Sequence, residues 1–427
     1  VIEAENCFQS ILNKYPKNIR ALEGLKTIRQ NSSTAEVNFN QCVKKLIEYY
    51  NARQYSELIL FGEKVALQFP EKVIIKNIIG AGYTALNQFS NAINHYKAAL
   101  KLEPKNAEVL NNLGLTFKAI GDFKKANECF ENSISIKPNF AEAFNNMALS
   151  LKEERKFEKA IIALEKAIAL KNNYAEAYYN LGNVYNLLGE LEKSINMFTR
   201  AIDIKSDYFD AYNNLGAVYN LKKDYDKAYQ NIQKAISLNP NNADAYNNLG
   251  TSALNLNKED EAIAHYNKAI SIDPKLIIAY SNLCGLFEKS NNLKEFENIL
   301  EKTKELKLDQ FGEIKFHEAQ LLSRKKDFER SILLLKSIDD NEISEKTKTN
   351  KYGLLGKDFD KVQNYKEAFK CFQKTNELVK VGVEYKQFNP TIYQEEILEL
   401  INSYSKAKKN SWMNYPQKQN FQPVFLV

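Results

Sequence analysis

A small residue followed at helical spacing by a large apolar one is the motif that recurs along this chain. Gly80, Gly114, Gly182 and Gly216 are each followed three residues later by an aromatic, namely Tyr83, Phe117, Tyr185 and Tyr219. Ala148 and Gly250 hold the same place in two further segments. Each is answered downstream by a second small residue, Ala92, Ala126, Ala160, Ser194, Ala228 or Ala262. Four positions after that comes a large side chain such as Tyr96, Phe130, Leu164, Phe198 or Tyr266. Both spacings keep a pair on one helix face, so the pattern predicts two helices packed with little bulk where their backbones cross.

Pro70, Pro104, Pro138, Pro240 and Pro274 fall on one 34-residue lattice, and Asn172 and Ser206 occupy the two remaining points. Proline cannot donate to a helix and restricts the residue before it, so each lattice point closes the second helix and turns the chain into the next unit. One two-helix unit cannot bury its apolar face alone, whereas stacked neighbours can. The predicted fold is therefore all-α, a right-handed superhelical solenoid of helix-turn-helix repeats (an α-α superhelix).

The lattice also divides the chain. Residues 39–310 read as the regular array. Over 311–380 the repeats degenerate and then recover: the unit near Gly312 keeps mainly Phe328, Ser331 and Leu335, and a clear repeat returns with Leu355, Gly356, Phe359, Ala368 and Phe372. Residues 1–38 read as a partial repeat, carried by Ala4, Phe8, Ile11 and Pro16, followed by a polar linker at Asn31-Ser32-Ser33-Thr34. A helical linker is expected over 381–420, and Pro423-Val424-Phe425-Leu426-Val427, within 421–427, reads as the first strand of a truncated α/β domain. Both ends of the chain are thus expected to be cut.

Composition fits long helices, since the 427 residues include only 9 Pro and 15 Gly. The formal charge of +6, from 59 basic against 53 acidic residues, is spread along segments of alternating sign, so no nucleic-acid stripe and no nucleic-acid partner is expected. No apolar run approaches the length needed to span a membrane. Cys7, Cys42, Cys129, Cys284 and Cys371 form no C-x-x-C pair, which argues for a reducing, cytoplasmic setting and against a metal site. His95, His265 and His317 are dispersed along the array, so no metal centre, no Ser–His–Asp set and no Cys–His pair is expected, and no catalytic residue or cofactor is assigned to this chain.

The run Ala243-Asp244-Ala245-Tyr246-Asn247-Asn248-Leu249-Gly250, followed by Ala262, Tyr266, Ala269 and Pro274, resembles the signature of the tetratricopeptide-repeat family. That resemblance implies a protein or extended peptide bound in the concave groove of a scaffold. Leu355-Gly356-Lys357 with Tyr365, Glu367-Ala368-Phe369 and Asn376, together with Pro423 to Val427, resembles bacterial proteins in which such an array is fused to a sulfotransferase domain. A protein-tyrosine sulfotransferase-like parent would imply 3′-phosphoadenylyl sulfate as cofactor of the absent domain. A free-standing adaptor, or the array of an O-linked N-acetylglucosamine transferase-like enzyme, stays open beside it.

In such arrays the first helix of each unit (helix A) lines the concave wall, and here Asn recurs at its sixth position: Asn112, Asn146, Asn180, Asn214, Asn248 and Asn282. A carboxamide offers both donor and acceptor, so this ladder suits the backbone of an extended peptide. The six resemble the ladder of the O-linked N-acetylglucosamine transferase; equally, they suit hydrogen bonds between units or a solvated face. Asn111, Asn145, Asn213 and Asn247 at the fifth position read as a solvated face. The fourth-position aromatics Phe144, Tyr178, Tyr212, Tyr246 and Tyr280 read as packing between units. Some arrays of this family clamp a C-terminal carboxylate with Lys and Asn, but Leu115, Leu149 and Ala217 at ninth positions fail that pattern.

Overall fold

A computed structural model describes residues 6–7, 9–10 and 19–381, and all regular structure among them is helical. The half-repeat ending at Pro16, the linker beyond Val381 and the strand Pro423–Val427 lie outside the described residues. The chain divides into two compact units, Val1–Ala262 and Ile263–Val427.

The first unit opens with α1 (Ile19–Asn51) and α2 (Tyr55–Gln68). Hairpins follow: α3 (Val73–Ala85) with α4 (Phe89–Leu102), α5 (Ala107–Ala119) with α6 (Phe123–Ile136), and α7 (Ala141–Glu153) with α8 (Phe157–Leu170). Next come α9 (Ala175–Leu187) with α10 (Leu191–Ile204), α11 (Phe209–Leu221) with α12 (Tyr225–Leu238), and α13 (Ala243–Asn255). The division falls inside α14 (Glu259–Ile272). The second unit continues with α15 (Ile277–Lys289), α16 (Leu293–Glu305), α17 (Gly312–Arg324), α18 (Phe328–Lys336), α19 (Glu345–Lys361) and α20 (Tyr365–Val381). From Val73 to Ile277 every helix A begins 34 residues after the last, in the phase the proline lattice predicts. One expectation fails: α1 runs unbroken through Asn31–Thr34, where a linker was read. Polar residues cost a helix only tenths of a kcal/mol each, and no proline stands between Pro16 and Pro70 to end it.

The small residues do two separate jobs. A Cβ built on Gly80, Gly114, Gly182 or Gly356 would lie 2.7 Å from the ring of Tyr96, Phe130, Phe198 or Phe372, so the eighth-position glycine makes room for the large residue of helix B. Where that residue is Leu164, the eighth position holds Ala148 instead, and both are buried. The residue at position twenty marks the close backbone approach. Ser194, standing there in place of Ala, donates its hydroxyl to the carbonyl of Gly182 at 2.8 Å, and Ser331 donates to Ala319 at 3.0 Å.

The turn from helix A to helix B places one residue in the left-handed region in each repeat: Asn87, Gly121, Arg155, Gly189, Lys223, Asn257 and Asn291. The turn then closes with side-chain caps where the sequence supplies them, Asp122 on Lys125 N at 3.2 Å and Asp224 on Lys227 N at 3.4 Å. Burial proceeds in successive clusters, such as Leu46, Leu58, Ile75 and Ile79, and then Tyr96, Val109 and Leu113. Successive A helices touch each other, α5 with α7 and α9 with α11 in the first unit, α15 with α17 and α19 with α17 in the second. Among the described residues the backbones of successive B helices stay farther apart and are bridged by long side chains, such as His95 to Glu63 and Tyr229 to Glu261, each at 3.0 Å, so each stack curves toward its A face.

Candidate functional site

The A face of the first unit carries the asparagine ladder. Asn112 Nδ2 donates to Asn77 Oδ1 at 3.0 Å, Asn146 to Asn111 at 3.0 Å, Asn180 to Asn145 at 2.8 Å and Asn248 to Asn213 at 3.1 Å. Each rung runs from the sixth position of one repeat to the fifth position of the repeat before it. Asn214 varies the theme, because its fifth-position partner is Tyr179: the amide donates to the Tyr179 hydroxyl at 3.1 Å and to Asn183 Oδ1 at 2.9 Å.

The fifth-position asparagines are not a solvated face. Asn145 is fully buried and Asn111, Asn213 and Asn247 nearly so. Asn111, Asn145 and Asn213 point between repeats and accept from the next repeat's amide, which satisfies polar groups that would otherwise be costly to bury. Sixth-position Asn112, Asn146, Asn214 and Asn248 stay half-buried, while Asn180 is buried. In Asn112, Asn146, Asn180 and Asn248 one N–H makes the rung, and each carboxamide carries a second. Asn282 is half-buried in the second unit.

Residues one and two turns further along helix A extend the polar face, and sequence reading did not single them out. Asn220 donates to the Asn248 carbonyl at 3.3 Å and accepts from Ser252 Oγ at 2.9 Å. Asn186, at the same position one repeat earlier, buries its Oδ1 without a partner. Their recurrence at position twelve of consecutive repeats was the available signal. In the two repeats before, position twelve is Lys118 and Lys152, and burial followed by the neighbouring Lys152 holds the Lys118 ammonium below its usual value. Leu187 and Leu221 stand one residue further on, more than half exposed, seven residues from Asn180 and Asn214 and so on the same helix face.

In the second unit the equivalent rung is made by Ser281 and His317. Ser281 Oγ lies 2.8 Å from His317 Nε2, and His317 Nδ1 lies 2.7 Å from Gln320 Oε1. The Gln320 oxygen only accepts, so Nδ1 carries the proton and Nε2 accepts from the serine. The degenerate spacing near Gly312 concealed from sequence reading that His317 still occupies the sixth position, where it meets Ser281. Burial pushes the imidazole down to about 4, against the upward pull of Gln320, Glu313 and Glu288. So weak a base, backed by a neutral amide, does not activate a serine. The contact is a structural rung.

The fourth-position aromatics behave as packing residues: Tyr280 is fully buried, and half-buried Phe144 packs on the Ala148–Leu164 cluster. Burial pushes the Cys129 thiol up to about 11, so it is inert at neutral pH. Among the described residues no helix is long and apolar enough to cross a membrane, and no group of three or more His, Cys, Asp or Glu is placed to hold a metal.

The sequence matches the tetratricopeptide repeat over residues 107–140 and 207–275, and the related TPR repeat over 80–121, 151–189 and 182–223. No curated protein matches the chain. Among solved structures it is similar to MamA, at 30% identity and TM-score 0.36 over 38% of this chain and 95% of that one. It is similar to the Cut9–Hcn1 hetero-tetramer of APC/C at 18% identity and TM-score 0.49, over 65% of this chain and 51% of that one. A third similar structure is YrrB, described as a TPR protein with an unusual peptide-binding site, at 18% identity and TM-score 0.37 over 43% of this chain and 95% of that one.

Proposed function

The chain is a tetratricopeptide-repeat protein, a protein-interaction scaffold, and from that premise we propose that the A face of its first unit grips an extended peptide segment through backbone hydrogen bonds. The observation that carries the reading is the register of the rungs. Consecutive repeats present carboxamides held in fixed orientation by a bond to the neighbouring repeat, each with one amide hydrogen left over. Peptide N–H and C=O groups recur at similarly regular intervals, so many weak contacts add along the groove, while preorganisation lowers the cost of ordering them. Exposed Leu187 and Leu221 supply apolar footing for alternate side chains of the segment.

Two variants test this against an array of immobilised random peptides. Asn180→Ala, Asn214→Ala and Asn248→Ala together remove ladder amides, and Leu187→Lys with Leu221→Lys blocks the same face while leaving every rung intact. The expected outcome is loss of most array signal in both, at a temperature where circular dichroism shows full helicity. Undiminished binding by the leucine variant would discard the reading, whatever the asparagine variant did.

A finer proposal concerns the parent: the array presents its partner, in the cytoplasm, to a sulfotransferase domain using 3′-phosphoadenylyl sulfate. Leu355-Gly356-Lys357 through Asn376 and the apolar run Pro423–Val427 support it. Sequencing past Val427 decides it, because the proposal requires a Gly-x-Pro-Arg-Ser-Gly-Thr phosphate loop.

A further inference from the structure

A groove of about 840 Å³ opens on the opposite, B-helix side of the first unit, between α6 and α8. These two helices do not touch each other; α7 forms the floor between them. Phe144, Met147 and Leu151 of α7, with Ile162 and Ala163 of α8, give it an apolar lining. Ile162, at the edge of this lining, is 66% exposed.

Asn127 supplies the second observation. It lines the groove, its residue is nine-tenths buried, and its Oδ1 has no hydrogen-bond partner. A flipped amide does not solve the problem, because Asn127 Nδ2 donates to the Glu154 carboxylate at 2.6 Å and an oxygen in that place has nothing to donate. A buried acceptor left in this way keeps its desolvation cost until a donor reaches it. The charges around it specify the donor further. On the α6 wall exposed Glu128 and Glu131 outnumber Lys124 beside Asn127, whereas on the α8 wall Lys159 and Lys166 outnumber Glu165.

From this we infer that the outer groove binds an amphipathic helix of a partner protein, with an apolar stripe seated on α7 and a flanking arginine or lysine directed at Asn127 and the Glu128–Glu131 edge. Two helical walls over a helical floor repeat the packing by which the array holds its own helices, so a helix is the occupant whose ridges match. A net acidic wall opposite a net basic one biases the rotation of that helix about its axis, with basic residues toward Glu128 and Glu131 and acidic residues toward Lys159 and Lys166.

The chain contains three methionines, Met147, Met197 and Met413, so methyl-labelled methionine in the full chain gives a readout inside the groove with internal references. The probe is a 15-residue peptide with leucines at helical i, i+4, i+7 spacing, arginines along one flank and glutamates along the other. The expected result is a saturable shift of the Met147 methyl signal, with affinity weakened about tenfold or more by Ile162→Glu and by Glu128→Lys with Glu131→Lys. All three substituted residues are exposed, so the fold is retained. An unmoved Met147 signal, or equal affinity in Ile162→Glu, overturns the proposal. Equal binding of a peptide with glutamates on both flanks overturns the assigned chemistry. A Met147 shift produced by n-hexylammonium but not by the peptide gives the groove to a small cation instead and overturns the helix reading.

Discussion

Glycine serves different purposes at Gly121 and Gly182. Gly121 sits at φ +80 with open space where a Cβ would go, so Gly121→Ala isolates the cost of a left-handed backbone, about 1 kcal/mol. Gly182 is helical, and its added Cβ would meet Phe198 at 2.7 Å, an overpacking cost of roughly 1–3 kcal/mol. Urea melts of the two variants should separate further when Phe198→Leu is added. The pair Gly182→Ala with Phe198→Leu should recover part of its loss because it recreates the Ala148–Leu164 combination, whereas Gly121→Ala should gain nothing. The sequence showed both glycines plainly, and the 34-residue phase identified the structural position of each. It did not show that a ring, rather than a backbone, fills the space beside Gly182, because that depends on which rotamer the helix B aromatic adopts.

At the scale of helices, the rung from sixth to fifth position is the device that sequence reading half saw. Adjacent asparagines such as Asn145 and Asn146 are chemically the same on paper, yet a rotation of one residue, about 100° around the helix, puts one between repeats and the other at the groove edge. Periodicity locates both and cannot tell which is buried. Removing the donor exposes the difference: Asn180→Ala leaves Asn145 Oδ1 buried without its rung partner and should cost about 1–3 kcal/mol in a thermal melt. Replacement of Asn145 and Asn180 together by alanine should cost less than the sum of the two single changes, because the orphaned acceptor disappears with its partner. An additive result would show that the bond between α7 and α9 contributes nothing beyond its parts. Helix α1 was missed at this scale for a simpler reason, since a polar tetrapeptide reads as a linker unless flanking helix is already known to continue through it.

Across the whole molecule, stability is built from neighbour contacts, so a change felt at one repeat should decay within a repeat or two. Acid offers a way to see this. His317 has its folded value depressed to about 4 against an ordinary value near 6.5, so its contribution is complete above pH 6.5 and is lost as pH falls through that window toward 4. Glu108 and Asp122 in the first unit are also depressed, by Lys137 and Lys125 hydrogen bonds respectively, but from a carboxylate starting point, so their contributions survive to lower pH. Hydrogen exchange between pH 6.5 and 4.5 should therefore show Gly312–Lys361 opening while Ala107–Leu238 stays protected, and His317→Gln should remove the difference. Simultaneous opening of both regions in the wild-type chain would contradict a sum of local stabilities. The lattice made this architecture readable from Val73 to Ile277, where every unit obeys it; near Gly312, where spacing slips, the Ser281–His317 contact emerged only from coordinates.

Because each repeat from the one opening at Ala107 to the one opening at Ala243 carries its own acceptor at the fifth place and its own donor at the sixth, a duplicated segment such as 141–174 meets its copy with complementary groups already in hand. Gene duplication or deletion in whole 34-residue steps thus creates no chemically foreign junction, and the reach of the molecule is free to lengthen or shorten by inheritance without redesign of any seam.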